Sequence, residues 1–93
     1  MKIYDYKGTK VTVKVVTYST PNQIHLYDAS TGEPFLVGTS NIPALETLEG
    51  YVAVKTYSEN DGMLEFLLDN DIVGNPLTYV RENYGVFPIC KLK

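Results

Sequence analysis

The sequence predicts an α+β fold in which one amphipathic helix packs on a mostly antiparallel sheet, giving two layers. Three observations carry this prediction. Most segments alternate apolar and polar residues at the two-residue period of strands, while residues 58–71 place apolar residues at helical spacing. The length, 93 residues, suits one domain with a thin core. The expected arrangement is therefore a single domain, residues 1–93, with the element order β-β-β-β-β-α-β-β.

Seven strands are predicted, each bounded by residues that favour turns. Glycines, prolines and asparagines fall between the alternating segments. Pro88 lies inside the last segment, which predicts that this strand is at a sheet edge or contains a bulge. The predicted strands are Met1–Tyr6, Lys10–Tyr18, Gln23–Asp28, Pro34–Ser40, Tyr51–Tyr57, Leu77–Arg81 and Val86–Leu92.

The second predicted strand shows the alternation most clearly. Val11, Val13 and Val15 occupy every second position, so they are expected to share one buried face. Val16 and Tyr18 depart from this pattern. A bulge, or burial on both faces, is therefore expected near the end of this strand.

Turn-forming residues place several boundaries. Gly32 is positioned to take a left-handed conformation in the hairpin loop after the third strand. Pro43 ends the fourth strand, because the residue before a proline avoids helical geometry. A short turn over Ala44–Glu49 is expected to carry Leu45 and Leu48 inward.

The predicted helix is acidic and amphipathic. Ser58 is expected to be its N-cap, with Asp61 completing a Ser-x-x-Asp capping pattern, and Asn70 is expected to be its left-handed stop. No basic residue interrupts this segment. Its apolar face consists of Met63, Leu64, Phe66, Leu67 and Leu68. Its carboxylates are Glu59, Asp61, Glu65, Asp69 and Asp71.

Charge is divided unevenly along the chain, whose net charge is −3. Residues 1–27 carry four lysines and one aspartate, residues 28–71 nine carboxylates and one lysine, and residues 72–93 three basic residues and one glutamate. An acidic middle disfavours general binding to nucleic acid, because that affinity comes mainly from Lys and Arg on phosphates. A solvated surface would also account for the acidic segment.

The sequence contains no recognisable catalytic or metal-binding pattern. The single histidine, His25, has no nucleophile and carboxylate at a suggestive spacing, and the single cysteine, Cys90, leaves no partner for a disulfide. A calcium-loop pattern starting at Asp69 fails, because its fifth and twelfth positions are Val73 and Val80. We therefore expect a protein that is not an enzyme and uses no cofactor or metal.

Tyrosine is abundant, with eight residues and no tryptophan. It is typical of half-buried sheet faces, and it also anchors protein interfaces. Tyr51 and Tyr57 are expected on the same strand face as Lys55, and we call this the Tyr face. If the helix covers the opposite face, with Val52 and Val54, the Tyr face would be open to a partner or to a second protomer.

A pattern of turns and hydrophobic residues runs from about residue 30 to residue 92. It comprises Gly32–Phe35 leading to Thr39–Pro43, the Tyr-Ser-Glu-Asn core and glycine within Ala53–Gly62, and the closing Tyr84–Leu92. This pattern resembles a family of small uncharacterised bacterial proteins carried on plasmids, prophages and integrative elements. The resemblance implies a cytoplasmic accessory protein of a mobile element, and it supplies no catalytic residue.

Two functions of different classes follow from the sequence. The first is a non-catalytic interaction protein with an accessory or anti-defence role. Its five carboxylates would present phosphate-like charge to a basic nucleic-acid-binding surface of a host protein, with Tyr51 and Tyr57 as further contacts. The alternative is a small regulatory or nucleic-acid-binding module that uses basic N-terminal strands. Its basic residues are Lys2, Lys7, Lys10 and Lys14.

The sequence also bears on where the protein is located and whether it assembles. An N-terminus without an apolar signal segment, and the lack of an apolar run near 20 residues, predict a cytoplasmic protein with no membrane partner. On the first function no direct binding to nucleic acid is expected. Exposed strand edges are compatible with a homodimer.

Overall fold

The computed structural model describes residues 2–17, 22–45, 48–82 and 85–93. Within them the chain forms two antiparallel four-stranded sheets and one α-helix, which confirms the α+β fold. The first sheet has the spatial order β1 (Tyr4–Tyr6), β2 (Thr9–Val16), β3 (Gln23–Asp28) and β4 (Pro34–Val37). The second has the order β5 (Thr39–Ser40), β6 (Tyr51–Val54), β8 (Gly85–Lys91) and β7 (Thr78–Glu82). The helix α1 (Met63–Asp69) lies between β6 and β7 in the chain, and 3₁₀ turns span Pro43–Leu45 and Ser58–Asn60.

The fourth predicted strand is two strands that belong to different sheets. β4 pairs with β3, β5 pairs with β6, and Gly38 lies between them. The Gly38 N–H donates to the Ile24 carbonyl at 2.8 Å, and the Gly38 carbonyl accepts from the Lys55 N–H at 2.9 Å. A Cβ at this position would lie 3.3 Å from Met63 Sδ. The missing side chain therefore lets the chain pass over the core as it crosses between the sheets.

The first sheet is buried mainly on the face that meets α1. Val11, Ile24 and Leu26 are fully buried there, which confirms the prediction for Val11. Val15 pairs directly with Ile24 but is 40% exposed, so its predicted burial is wrong. The reason is that the main core, which Val11 and Val13 join, does not extend to Val15.

At the end of β2 burial changes face, because Val15 is exposed and Val16 is buried, so the predicted burial on both faces is wrong. Val16 is buried, although its backbone register with β3 continues without a shift. The register shift in this sheet lies instead between Leu26 and Tyr27, where β3 pairs with β4. Tyr18 lies outside the described residues.

The second sheet is covered on both faces. Val52 and Val54 face α1, while Ala53 points the other way into a second, smaller core, and all three are fully buried. The second core consists of Ile42, Leu45, Ala53, Phe87 and Ile89. Leu45 is thus buried as predicted, whereas Leu48 is exposed, against the prediction.

The main core joins both sheets to the helix. The ring of Phe66 meets the rings of Tyr4 and Tyr6 edge-on, with centroids 6.0 and 5.2 Å away. The buried residues of this core are Tyr6, Val11, Ile24, Leu26, Val52, Val54, Met63, Phe66, Leu67, Val73 and Cys90. Because one core includes both sheets, neither sheet can be removed without exposing the other.

The helix begins later than predicted. Ser58 has a left-handed φ of 58° and starts a 3₁₀ turn, and its hydroxyl donates to Glu59 Oε2 at 2.9 Å rather than capping the helix. The N-cap of α1 is Gly62, which makes no side-chain capping bond and has a φ of 88°. Such a φ is available to glycine at little steric cost.

The helix ends in a Schellman motif. The left-handed residue is Asp71, with a φ of 63°, whereas the predicted stop, Asn70, has a φ of −98°. The Ile72 N–H donates to the Leu67 carbonyl at 2.9 Å and the Asp71 N–H to the Leu68 carbonyl at 3.1 Å. These are the two bonds that define the motif, so the stop is displaced by one residue from its predicted position.

β8 lies inside the second sheet, so the edge position predicted from Pro88 is wrong. Its pairing with β6 covers Lys91 to Ile89 and stops before Pro88. The Leu92 N–H donates to the Gly50 carbonyl beside β6, and orientation alternates along a strand, so Pro88 also directs its nitrogen towards the β6 side. Proline has no N–H, and at Pro88 none is needed, because the pairing of β8 with β6 has already ended at Ile89.

No helix in the described part of the chain is both long and apolar enough to cross a lipid bilayer.

Candidate functional site

The five predicted carboxylates are exposed, but they do not share one helix. Glu59 lies in a 3₁₀ turn and Asp61 in the turn that follows it. Glu65 occupies the first turn of α1, Asp69 is its last residue, and Asp71 lies beyond it. The prediction of an acidic helix with all five is wrong, because α1 has only seven residues and starts at Met63.

The carboxylates at the end of α1 are partly engaged. Asp71 forms an exposed ion pair with the Lys93 ammonium group. Exposed pairs of this kind are screened by water and salt and contribute little to stability. This end of the helix therefore offers less free negative charge than the sequence suggested.

Asp61 and Glu65 lie together at an open groove of about 320 Å³ between α1 and the β7–β8 hairpin. Tyr79, which is 60% exposed, and the exposed Val86 supply apolar surface opposite the carboxylates. Neither carboxylate takes part in an ion pair within the described residues. We call this site the acidic groove, and its lining residues are Thr56, Asp61, Gly62, Leu64, Glu65, Tyr79, Val86 and Pro88.

The sheet supplies one wall of the acidic groove through the register of its hairpin. Tyr79 pairs with Pro88, and Arg81 pairs with Val86, so these four residues share one face of the sheet. Pro88 is buried, while the other three are exposed. The apolar wall is thus continuous with the face that packs on α1.

A buried tyrosine holds the acidic segment in place. The Tyr6 hydroxyl donates to the backbone carbonyls of Glu59, at 3.0 Å, and Asp61, at 3.3 Å. Burial raises the pKa of Tyr6, and the negative charges of Asp61 and Glu59 raise it further. The hydroxyl therefore stays protonated near neutral pH and ties the groove to β1.

Glu59 belongs to a second groove, of about 270 Å³, along the outer edge of β4. The backbone N–H of Glu59, the Ser58 hydroxyl and, more weakly, the charge of Lys55 lower the pKa of the Glu59 carboxyl. Asn60 is buried, and its Nδ2 donates to the Val37 carbonyl at 2.9 Å. This groove holds both Lys55 and Glu59, so it lacks the uniform negative charge of the acidic groove.

The predicted Tyr face does not exist as an open surface. Tyr51 is half-buried against the second core, because Ile42 and Leu45 cover that side of β6. Tyr57 lies beyond the end of β6 and is exposed, with its ring edge-on to Phe87 at 6.0 Å. The two tyrosines are therefore not a joint surface.

Sequence reasoning missed Tyr79, the tyrosine that lies with the carboxylates. The sequence did place Tyr79 on a predicted strand, on the same face as Leu77 and just before a predicted turn. What the sequence did not show is that this hairpin returns beside α1, 14 residues from Glu65.

Most of the N-terminal lysines make contacts within the chain. Lys10 is ion-paired with Asp5 at 2.9 Å. The ammonium groups of Lys2 and Lys7 lie over the rings of Tyr4 and Tyr6, at 5.3 and 5.6 Å from the ring centroids. Three of the four basic residues of the alternative function are thus engaged within the chain.

The remaining chemically reactive groups lie apart from the acidic groove. His25 is hydrogen-bonded to Gln23 Oε1 at 2.7 Å on the first sheet. Cys90 is fully buried, and burial raises the pKa of its thiol to about 11, so the nucleophilic thiolate is scarce at neutral pH. Among the described residues, no three His, Cys, Asp or Glu side chains are grouped so that they could hold a metal ion.

Comparison with known protein families, with curated proteins and with solved structures gives no match.

Proposed function

We propose that this chain is a non-catalytic interaction protein that binds a basic segment of a host protein in the acidic groove. The observation that carries the proposal is the placement of two exposed carboxylates without ion-pair partners, Asp61 and Glu65, opposite the exposed ring of Tyr79. An accessory or anti-defence role in a cytoplasmic mobile-element setting stays a prediction from the sequence resemblance.

The chemistry of the groove favours arginine in the bound segment. A guanidinium group can pair with a carboxylate through two parallel hydrogen bonds and can stack on a tyrosine ring. Glu65 and Tyr79 line the same groove and offer both kinds of contact. Val86 and Leu64 add apolar surface, so we expect an arginine next to an aliphatic residue.

The size of the groove limits what it can hold. At about 320 Å³ it is at the lower end of ligand pockets, so it suits one or two side chains of an extended segment. Charges at an exposed rim mainly speed association and set specificity, and they are screened within about 8 Å at physiological salt. Binding is therefore expected to weaken as salt concentration rises.

The test is a titration of the labelled protein with a peptide that alternates arginine and leucine, followed by amide chemical shifts. We expect changes at Asp61–Glu65 and Tyr79–Val86, and loss of binding in the double variant Asp61→Lys, Glu65→Lys. A matched control, Asp69→Lys with Asp71→Lys, makes the same change of charge at the other end of α1 and should keep binding. Equal losses in both variants would show a non-specific charge effect and contradict the proposal.

The same pair of variants identifies the natural partner. Capture from host lysate at low and then high salt should retain a protein that the groove variant loses and the control variant keeps. Circular dichroism of each variant checks that the fold is intact.

A second candidate function is favoured by the outer face of the first sheet. The rings of His25 and Tyr27 are stacked there, with centroids 6.5 Å apart and planes at 21°, and Lys14 pairs directly with His25. Proteins that bind single-stranded nucleic acid combine aromatic stacking with basic residues. A gel shift with single- and double-stranded DNA at low salt, lost in Lys14→Glu but kept in the groove variant, would support this function instead.

A further inference from the structure

β7 forms an open edge of the second sheet. Its five residues pair with β8 in a continuous register, from Thr78 opposite Ile89 to Glu82 opposite Gly85. Within the described residues no hydrogen bond reaches β7 from its other side. An edge strand without proline, bulge or cover is a template for pairing with another strand.

The backbone of β8 shows which groups of β7 are free. The Leu92 N–H donates to the Gly50 carbonyl on the β6 side of β8. The neighbouring Lys91 carbonyl accepts from the Gly74 N–H at 2.9 Å, on the side where β7 lies. Because orientation alternates along a strand, the odd-numbered residues of β8 direct their polar backbone groups towards β7.

These odd-numbered residues pair with the even-numbered residues of β7. Thr78, Val80 and Glu82 therefore direct their N–H and C=O groups to β8. Tyr79 and Arg81 direct theirs outward, away from the sheet. The free edge consists of two donors and two acceptors, placed symmetrically about Val80.

We propose that β7 of one copy pairs antiparallel with β7 of a second copy, about a two-fold axis at Val80. In this register Tyr79 of each copy lies opposite Arg81 of the other. The outward N–H and C=O groups of both residues are then all used, and the two pairs form four backbone hydrogen bonds. Within Thr78–Glu82, an axis at Tyr79 or at Arg81 would use only one such pair. The geometry therefore selects a single register and makes one sheet of eight strands.

The side chains on the β7 edge of one copy complement those on the β7 edge of the other. Tyr79 is 60% exposed, and Arg81 of the other copy would lie across from it on the same face, where a guanidinium can stack on the ring. The free edge ends before Leu77, whose N–H donates to the Ile89 carbonyl of β8 at 2.7 Å. A two-fold axis perpendicular to the sheet also places both acidic grooves on the same side of the dimer.

Sedimentation equilibrium over a concentration series tests the dimer. The wild-type chain should approach twice its mass of 10.4 kDa at high concentration. Tyr79→Arg places like charges opposite each other in both pairs and should raise the dissociation constant by at least about tenfold, whereas Tyr79→Glu places opposite charges there and should keep the dimer. A wild-type chain that stays monomeric, or equal losses in the two variants, would overturn the proposal.

A cross-linking experiment tests the register itself. Val80→Cys brings two thiols together at the axis, where Cα atoms are about 4.5 Å apart, close enough for a disulfide. Thr78→Cys is the matched control, since two copies of that residue would lie about 13 Å apart along the strands. Cys90 is buried and does not compete. Oxidation should cross-link Val80→Cys and not Thr78→Cys, and any other result contradicts the register.

Discussion

In the first sheet Ile24 is fully buried, while Val15, its direct partner on the same face, is 40% exposed. In the second sheet three consecutive residues, Val52, Ala53 and Val54, are all fully buried. The first sheet has one partly covered face, and the second lies between two cores. An alternating apolar pattern thus indicates a strand that is covered on one face at most. A continuous apolar run indicates a strand that is covered on both faces.

The two sheets also differ in the polar contacts that join them to the rest of the chain. The first sheet makes side-chain to backbone hydrogen bonds at its boundary: Tyr6 to the carbonyls of Glu59 and Asp61, and Asn60 to the carbonyl of Val37. The second sheet supplies one such contact, Thr39 Oγ1, which accepts from the Ile24 N–H at 3.2 Å, and is otherwise held mainly by apolar packing. Loss of a buried ring should therefore damage the second sheet most, and loss of a polar group the first.

Phe87→Ala should have the largest effect. Phe87 is fully buried in the second core, and removing such a ring typically costs about 3–5 kcal/mol of the free energy of unfolding. Phe35→Ala is the control in the first sheet, where the ring is exposed and should cost about 1 kcal/mol. Urea denaturation measures both, and equal costs would remove the contrast between the sheets.

Asn60→Ala should have an intermediate effect. The variant leaves the Val37 carbonyl without its partner and removes a buried side chain, so we expect a loss of about 1–3 kcal/mol. Asn75→Ala, at an exposed position, should change the free energy of unfolding little. A cost for Asn60→Ala no greater than that of the control would show that this bond does not hold the first sheet.

Tyr6→Phe should cost about 1 kcal/mol, because it removes one hydroxyl that serves two carbonyls and leaves the ring in place. It should also loosen the acidic segment and weaken peptide binding in the groove. Tyr4→Phe keeps the neighbouring ring contact with Phe66 and is the control for both measurements. If peptide binding is unaffected by Tyr6→Phe, the acidic groove does not depend on this link to the first sheet.

Alkaline pH should have the smallest effect in the accessible range. Burial raises the pKa of the Cys90 thiol from 9.0 to about 11, so folding favours the protonated form. This stability is fully present below pH 9 and is lost as pH rises towards 11, so the loss is still small at pH 9. Cys90→Ala should reduce the slope of the free energy of unfolding against pH, measured by urea denaturation from pH 7 to 9. An unchanged slope would exclude Cys90 as the group responsible.

The sequence predicted most of the fold, because the alternating pattern reports burial directly. The bounds of β3, Gln23–Asp28, agree with the prediction at both ends. The prediction failed where distant contacts matter. The chain crosses between the sheets at Gly38, where Met63 leaves little room for a side chain, and the bonds of Tyr6 and Asn60 hold the turn that precedes α1. Local capping signals cannot show such contacts.

The candidate site was predicted in part. Asp61 and Glu65 were among the predicted residues, but charge along the sequence does not separate them from Asp69 and Asp71. The difference arises from the hairpin that carries Tyr79 past one end of α1 only. Such a neighbourhood depends on how α1 packs on the sheet, and no local pattern contains that information.

The hydrogen bonds of Gly38 couple the opening of the two sheets. One side of this residue is hydrogen-bonded to Ile24 in the first sheet, and the other side accepts the Lys55 amide beside the second. The chain at this point cannot swing away from one sheet without pulling on the other. In deuterium exchange, the amide protons of Gly38 and Lys55 should therefore be released together, at the rate of whole-molecule unfolding, and neither sheet should fray alone at this junction.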